Sequence, residues 1–235
     1  MTTIAALLVA GLAGQSPSIE DFTQRDFHDI SLTARVVKAD QRELGKINHD
    51  FGNAYRFSST HVEAKEPFML RLDAKAEETN VQFILNGTKQ LMRIPRVNFR
   101  QKRDLTHNPG ERQTLLDFGL LTPTLFESLF QAKFVRNDRE TGDAVFDVTY
   151  RDPEDTSRSR IWVDRSKHMV TKREWYNQPG RQLATFYYLN PEHISGIWVP
   201  TKLEVKNVDG VVAGITQYDA IKVNSGIADS QFKVN

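Results

Sequence analysis

The sequence predicts a mainly β chain of α+β type, a barrel or sandwich of antiparallel strands with a short apolar helical cover. Three observations carry this. Asn86-Gly87 stands between two apolar runs in VQFILNGTKQLMRIP, residues 81–95, the strongest short-range hairpin signal, because a type I′ turn needs positive φ at both central residues. From Phe134 onward strand-like runs recur roughly every eight to twelve residues between turn signals. RQTLLDFGLLTPTLFESLFQA, residues 112–132, is the most helix-like stretch and the greasiest.

Taken in order, the first fourteen residues, MTTIAALLVAGLAG, are uncharged and apolar from Ile4 to Leu12. That run is too short to span a bilayer and has the length of a signal-peptide core, with Gly11 and Ala13 placed for cleavage. Residues 1–14 are expected to be an export leader, with a buried N-terminal helix as the alternative; residues 15–235 are expected to form a single domain, because no linker divides them. Ser18 and Asp21 have capping-box spacing, and Ile19, Phe22 and Phe27 predict a short amphipathic helix over 18–29. Residues 31–37 and 67–72 alternate as strands.

In the hairpin, a two-residue loop at Asn86-Gly87 sets Leu85 opposite Thr88, Ile84 opposite Lys89 and Phe83 opposite Gln90. One face then collects Val81, Phe83, Leu85, Met92 and Ile94 and should be the core face. The other carries Gln82, Ile84, Lys89, Leu91 and Arg93, two of them large aliphatics that need a cover. Residues 100–112 read as a loop. In the helical stretch Thr122 is the N-cap and Pro123 the first helical residue, while Leu125, Phe126, Leu129 and Phe130 share one face. The closing meander is expected at 144–150, 159–163, 169–176, 182–189, 201–207, 211–218 and 220–223, with a turn at Asn190-Pro191.

Composition excludes several functions. Thirty-one Lys and Arg against thirty Asp and Glu give 235 residues a net charge of +1, so no global field draws the chain to nucleic acid. There is no cysteine, which removes disulfides, thiolate metal sites, a nucleophilic Cys and a lipidated N-terminal Cys. The six histidines are scattered without metal-ligand spacing, and no nucleotide-binding or hydrolase motif is present. Neither a metal nor a cofactor is called for, and the chain is read as a non-enzyme. The one local charge asymmetry runs from Lys89 to Arg112, where Arg93, Arg96 and Arg100 could form a rim for lipid head groups or a partner. Charged side chains that protect a sheet edge are the alternative.

The order of elements and the motifs V-x-x-N-G-x-K-x-L-x-x-x-x-P at the hairpin, IWVDRSKHMVTKREWYNQPG, GIWVPTKLEVKN and IKVNSGIADSQFKV resemble the periplasmic lipoprotein carriers of the LolA type and their relatives LolB and LppX. The resemblance covers residues 18–235. It implies a half-open antiparallel β-barrel, a strongly curved sheet covered by a few helices, that shields acyl chains in an apolar cavity. The lining would be Phe68, Leu70, Leu72, Val81, Phe83, Leu85 and Met92 from the strands and Leu115, Leu116, Phe118, Leu125, Phe126, Leu129 and Phe130 from the cover; for each residue taken singly, packed core is the favoured alternative. The resemblance also implies an early-strand arginine that holds the lid, for which Arg35 is the nearest match. It implies an exported monomer in the periplasm that is not lipid-anchored and that exchanges a lipid or a lipoprotein acyl chain with membrane-bound donors and acceptors. A non-catalytic envelope scaffold on the same fold, its barrel filled by its own side chains, is the alternative.

Overall fold

The computed structural model describes residues 16–76 and 79–234, so the expected leader lies outside them. Thirteen strands make one antiparallel sheet: β1 (Asp29–Ala39), β2 (Ser59–Lys65), β3 (Met69–Ala76), β4 (Thr79–Asn86), β5 (Lys89–Ile94), β6 (Phe99–Asp104), β7 (Phe130–Asn137), β8 (Ala144–Tyr150), β9 (Arg158–Asp164), β10 (Met169–Tyr176), β11 (Gln182–Ile194), β12 (Ile197–Asn207) and β13 (Val212–Val223). Their spatial order is β6-β5-β4-β3-β2-β1-β13-β12-β11-β10-β9-β8-β7. Two meanders therefore run outward from a central seam, where β1 and β13 pair from Ile30 opposite Val223 to Ala39 opposite Gly214. The sheet curves without closing. Its two edges, β6 and β7, are consecutive in sequence, so residues 105–129 must cross from one edge to the other, and they do so over the inner face.

The cover is a 3₁₀ turn at Leu115–Phe118, closed by Gly119 at φ 79, and then a helix that begins at Pro123, directly after Thr122 as expected, but winds as a π-helix over Leu125–Leu129. Phe130 then enters β7 opposite Tyr150, and the ladder's hydrogen bonds end the helix there. The capping box at the N-terminus also forms, with the Ser18 amide donating to Asp21 at 3.1 Å, but it nucleates only a 3₁₀ turn, Ile19–Phe22. Ile19, Phe22 and Phe27 are drawn into the core one by one, and β1 must begin at Asp29. Two short helices, α1 (Gln41–Gly45) and α2 (His49–Ala54), follow β1; the Asp40 side chain caps the first by accepting from the Arg42 and Glu43 amides.

The hairpin keeps the expected faces and changes its pairing. Leu85 stands opposite Gln90, Ile84 opposite Leu91 and Phe83 opposite Met92, two residues further along β5 than expected, and a shift of two leaves every side chain on the same face. The reversal falls on Gly87-Thr88. Gly87 takes φ 60 at the first central position, the demand of a type II′ turn, so the one residue without a Cβ carries the left-handed conformation. The expected loop 100–112 is a strand over its first part, because β6 pairs with β5 while exposing all six side chains, which leaves no apolar pattern to read. Likewise Asn190-Pro191 is no turn. Asn190 takes φ 52 within β11, Pro191 faces Pro200 across the ladder, and the chain reverses at Ser195-Gly196. The two last expected strands are one, β13, with Ala220 at φ 52 where the break was expected.

Two apolar clusters result. The larger lies between the inner face and the cover. The smaller is outside, where Ile84 (2% exposed) and Leu91 (0%) pack with Phe232 (0%), flanked by Met69, Ile227 and Val234. The cover those two aliphatics require is thus the chain's own C-terminal segment. It is strapped down by the groups that made the closing motif recognisable. Asn224 accepts from the His28 amide and donates to the Asp26 carbonyl, both at 2.8 Å. Buried Asp29 accepts from the amides of Ser225 (2.8 Å), Gly226 (3.0 Å) and Ile227 (3.3 Å). Lys65 reaches Asp229 at 2.6 Å, and Asn86 donates to the Phe232 carbonyl at 3.3 Å.

A fully buried phenylalanine truncated to alanine loses about 3–5 kcal/mol. Phe232→Ala is accordingly expected to lower the urea midpoint, by an amount that corresponds to about 3 kcal/mol of unfolding free energy, the low end because the cluster is small. Leu91→Ala should cost about 2 kcal/mol, and an unchanged midpoint for both would show that the tail is not part of the folded unit.

Candidate functional site

The inner face of the first meander is made of rows that cross the strands. Leu32, Val62, Leu72, Phe83 and Met92 stand in one row, and Ile30, Ala64, Leu70 and Leu85 in the next, which ends at Gln90. The second row is buried throughout. In the first row, burial fails outward: Val62 is 1% exposed, whereas Leu72, Phe83 and Met92 are only half-buried. Ala74 and Val81 pair in a third row, and Ile94 faces Phe99 near the β5–β6 edge. An apolar strip of the inner face therefore lies beyond the cover's reach.

The cover itself is wholly sunk. Leu115, Leu116, Phe118, Leu125, Phe126, Leu129 and Phe130 are all at most 7% exposed, and Phe118 meets Tyr218 of β13 with ring centroids 6.1 Å apart. Of the fourteen strand and cover residues expected to line a cavity, those of the cover together with Leu70 and Leu85 are buried in one core, while Phe68, Leu72 and Phe83 pack at its margin. Between the two groups the structure encloses a space of about 20 Å³ bordered by Ala64, Glu66, Phe68, Leu70, Leu115 and Leu125. A single water needs about 10–15 Å³ of such space, so it holds about one water and is too small for an acyl chain.

The cover is held unevenly. Toward the second meander it is hydrogen-bonded: Arg173 of β10 donates to Asp117 at 2.8 Å, the Tyr188 hydroxyl to the Leu116 carbonyl at 3.2 Å, the Val170 amide to the Gly119 carbonyl at 3.0 Å, and Arg151 to the Phe126 carbonyl at 2.5 Å. Gly119 is obligatory there, since a Cβ would stand 2.8 Å from the Tyr188 ring. Burial pulls the Arg173 pKa down, but the facing Tyr188 and Asp117 outweigh it and hold the guanidinium charged, above its usual range. Toward β2 and β3 the ties are fewer. Glu66, after β2, lies near the Thr122 and Thr124 hydroxyls, and burial raises its pKa against their opposing pull; its Oε2 and the Thr122 hydroxyl are buried without a hydrogen-bond partner. Arg112 stacks over the Phe68 ring at 4.5 Å.

The expected lid-holding residue, Arg35, is exposed on the outer face of β1 and donates to Asp219 of β13 at 2.9 Å, on the far side from these contacts. The arginine bonded to the cover is Arg173, which sequence reasoning missed. It stands in register with Ile161 and Phe186, two buried apolar residues, so an arginine in an inward position is its signal, visible only once strand register is known. Arg93 and Arg100 stand opposite each other across the β5–β6 pair, and Arg96 lies in the turn between those strands. A separate open groove of about 580 Å³, polar and bordered by Gln24, Lys167, His168, His193 and Trp198, lies at the ends of β9–β12 and includes none of the expected residues.

Removing one partner of the Arg173–Asp117 pair strands the other where water is scarce. Arg173→Met is expected to destabilise by about 2 kcal/mol, reduced from the fully buried case because Asp117 is partly exposed. Glu66 gives the opposite sign. An acid with a raised native pKa binds its proton more readily folded than unfolded, so its contribution is favourable at low pH and is lost as pH rises through the native pKa. Glu66→Gln should therefore raise Tm at pH 7, the gain shrinking to nothing below about pH 4, where glutamate is protonated in the unfolded chain too. A pH-independent Tm difference would remove this role for Glu66.

A family model described only as an uncharacterised protein matches residues 125–235. No curated protein matches the chain. Among solved structures, a putative outer membrane lipoprotein-sorting protein domain from Vibrio parahaemolyticus aligns with TM-score 0.61 at 11% identity, covering 92% of this chain and 93% of that one. A LolA superfamily protein from Nitrosomonas europaea aligns with TM-score 0.59 at 18% identity, covering 92% and 94%. A DUF1329 family protein from Desulfovibrio piger gives 0.57 at 11% identity, covering 88% and 90%. The half-open, helix-covered sheet of this chain is thus the fold of the LolA superfamily.

Proposed function

We propose that this protein is an exported carrier that holds the acyl chain of a lipid or lipoprotein against the inner face of its first meander. The observation that carries the reading is the strip Leu72, Phe83 and Met92, inward-facing and apolar yet left half-buried beside a cover whose own apolar residues are fully sunk. A fold that needed only a core would finish that row as it finishes the neighbouring one. Similarity in fold to a lipoprotein-sorting protein domain supports the same reading.

The energetics favour a hinge over full release. Burial gains about 0.8 kcal/mol per methylene, so a chain of about sixteen carbons gains roughly 12 kcal/mol before ordering costs. Swinging the cover away from β2 and β3 gives up the apolar contacts of Leu115 and Leu125, which the acyl chain replaces in kind. The hydrogen bonds from Arg173, Tyr188 and Val170 remain on the hinge side, each worth about 1 kcal/mol net. No bond is made or broken in such a cycle, so no catalytic group enters it. Donor and acceptor proteins at the two membranes complete the proposed route, with the chain travelling between them as a periplasmic monomer without an anchor.

The filled space of about 20 Å³ supports a second reading, a non-catalytic scaffold whose barrel is occupied by its own side chains. One measurement separates them. Delipidated protein titrated with a fluorescent fatty-acyl probe should bind it with one site under the carrier reading, and Phe83→Asp should abolish binding while Arg35→Ala leaves it unchanged. Absence of probe binding by the wild-type protein, with no lipid extracted from it on purification, would establish the scaffold instead.

A further inference from the structure

From Arg93 to Arg103 the chain carries Arg93, Arg96, Arg100, Lys102 and Arg103 and no acidic residue. In the middle of this run Pro95–Val97 forms a 3₁₀ turn, stopped by Asn98 in the left-handed conformation at φ 50, whose amide returns to the Pro95 carbonyl at 3.1 Å. Asparagine tolerates that backbone better than most residues, so the turn is held in a single shape. It presents Val97, 66% exposed, and Phe99, 42% exposed. Among the described residues these are the most exposed large apolar side chain and the one exposed aromatic ring. Phe99 faces Ile94 across the β5–β6 pair, and Met92 and Phe83 stand behind it on the inner face, so the exposed tip is the outer end of the half-buried strip. Arg100 and Lys102 point to the other face of the same exposed strand.

We infer that this tip, Val97 and Phe99 flanked by Arg96, Arg100 and Lys102, docks on the surface of an anionic bilayer and delivers the open end of the strip to the acyl region. The inference rests on the carrier reading for its purpose and on geometry for its site. Apolar side chains flanked by lysine and arginine are what an interfacial anchor requires, the former to enter the head-group boundary and the latter to meet lipid phosphate. A merely protected sheet edge would need the charges but not the exposed valine and phenylalanine. Contact there would let an acyl chain pass from bilayer to strip along Phe99, Ile94 and Met92 without crossing water.

The test is cosedimentation of the full chain with vesicles of equal parts phosphatidylcholine and phosphatidylglycerol, and with phosphatidylcholine alone. The chain should bind the first, weakly or not at all the second, and lose binding at high salt. Val97→Asp combined with Phe99→Asp should reduce binding by about tenfold or more, and Arg100→Glu and Lys102→Glu by ~5-fold for each charge removed. All these side chains are exposed, so the variants should keep the wild-type Tm, and Arg100→Glu and Lys102→Glu, which lie on the opposite face from the strip, should also keep the acyl-probe affinity. Because the chain has no cysteine, Val97→Cys labelled with an environment-sensitive dye should brighten on the anionic vesicles. Equal binding to both vesicle types, undiminished binding by the aspartate variant, or no binding with instead a salt-sensitive complex with an acidic peptide would overturn the docking. A protein that docks yet takes up no acyl probe would overturn the carrier reading and leave the docking standing.

Discussion

Everything in this fold follows from one topological constraint: the two edges of an open sheet are joined by a single piece of chain. Because β6 and β7 sit at opposite ends of the strand order, residues 105–129 have to traverse the inner face, and whatever they bury there becomes the core. The apolar content of that connection, from Leu105 to Leu129, is therefore a consequence of its path. A 3₁₀ turn, an extended stretch and a short helix make the crossing, placing large side chains downward and sending carbonyls to donors on the second meander. The same constraint makes the cover's attachment lopsided, since its second end is continuous with β7 and its middle lies along β10.

The outer surface shows a complementary economy. One face of the first meander is left apolar at Ile84 and Leu91, and the last residues of the chain are used to close it. The closing motif thus reads as hardware for fastening a tail: Asn224 bridging to the start of β1, Asp29 collecting three successive amides, Ile227 and Phe232 filling the groove. This leaves the inner strip, rather than the outer face, as the apolar surface that the described residues cover only in part.

Strands with one buried face were legible in the sequence because alternation records burial, and β8 and β10 stand at their expected residues. The two faces of the hairpin were legible for the same reason. Its pairing was not, since Asn86-Gly87 and Gly87-Thr88 differ only in which turn type the backbone adopts, and both preserve the faces. Strand β6 left no trace, because a strand that exposes every side chain has no periodicity, only backbone pairing. The cover's residues and the start of its helix at Pro123 were legible; its π winding and its end before Phe130, which pairs with Tyr150 in β7, were not. Arg173 was invisible for a different reason. An arginine in a polar-looking strand discloses its inward position only through partners far away in sequence, here Ile161, Phe186 and Asp117.

The seam between β1 and β13 carries a consequence for assembly in time. Each meander is built from neighbours in sequence and can zip locally, but β1 finds its second partner only when residues up to Val223 exist, and Asp29 finds its amides only at Ser225 to Ile227. Loop closure over so long a separation is slow relative to hairpin formation. The two half-sheets are therefore joined only once residues as far along as Val223 to Ile227 are available, and the seam is the step that completes the sheet.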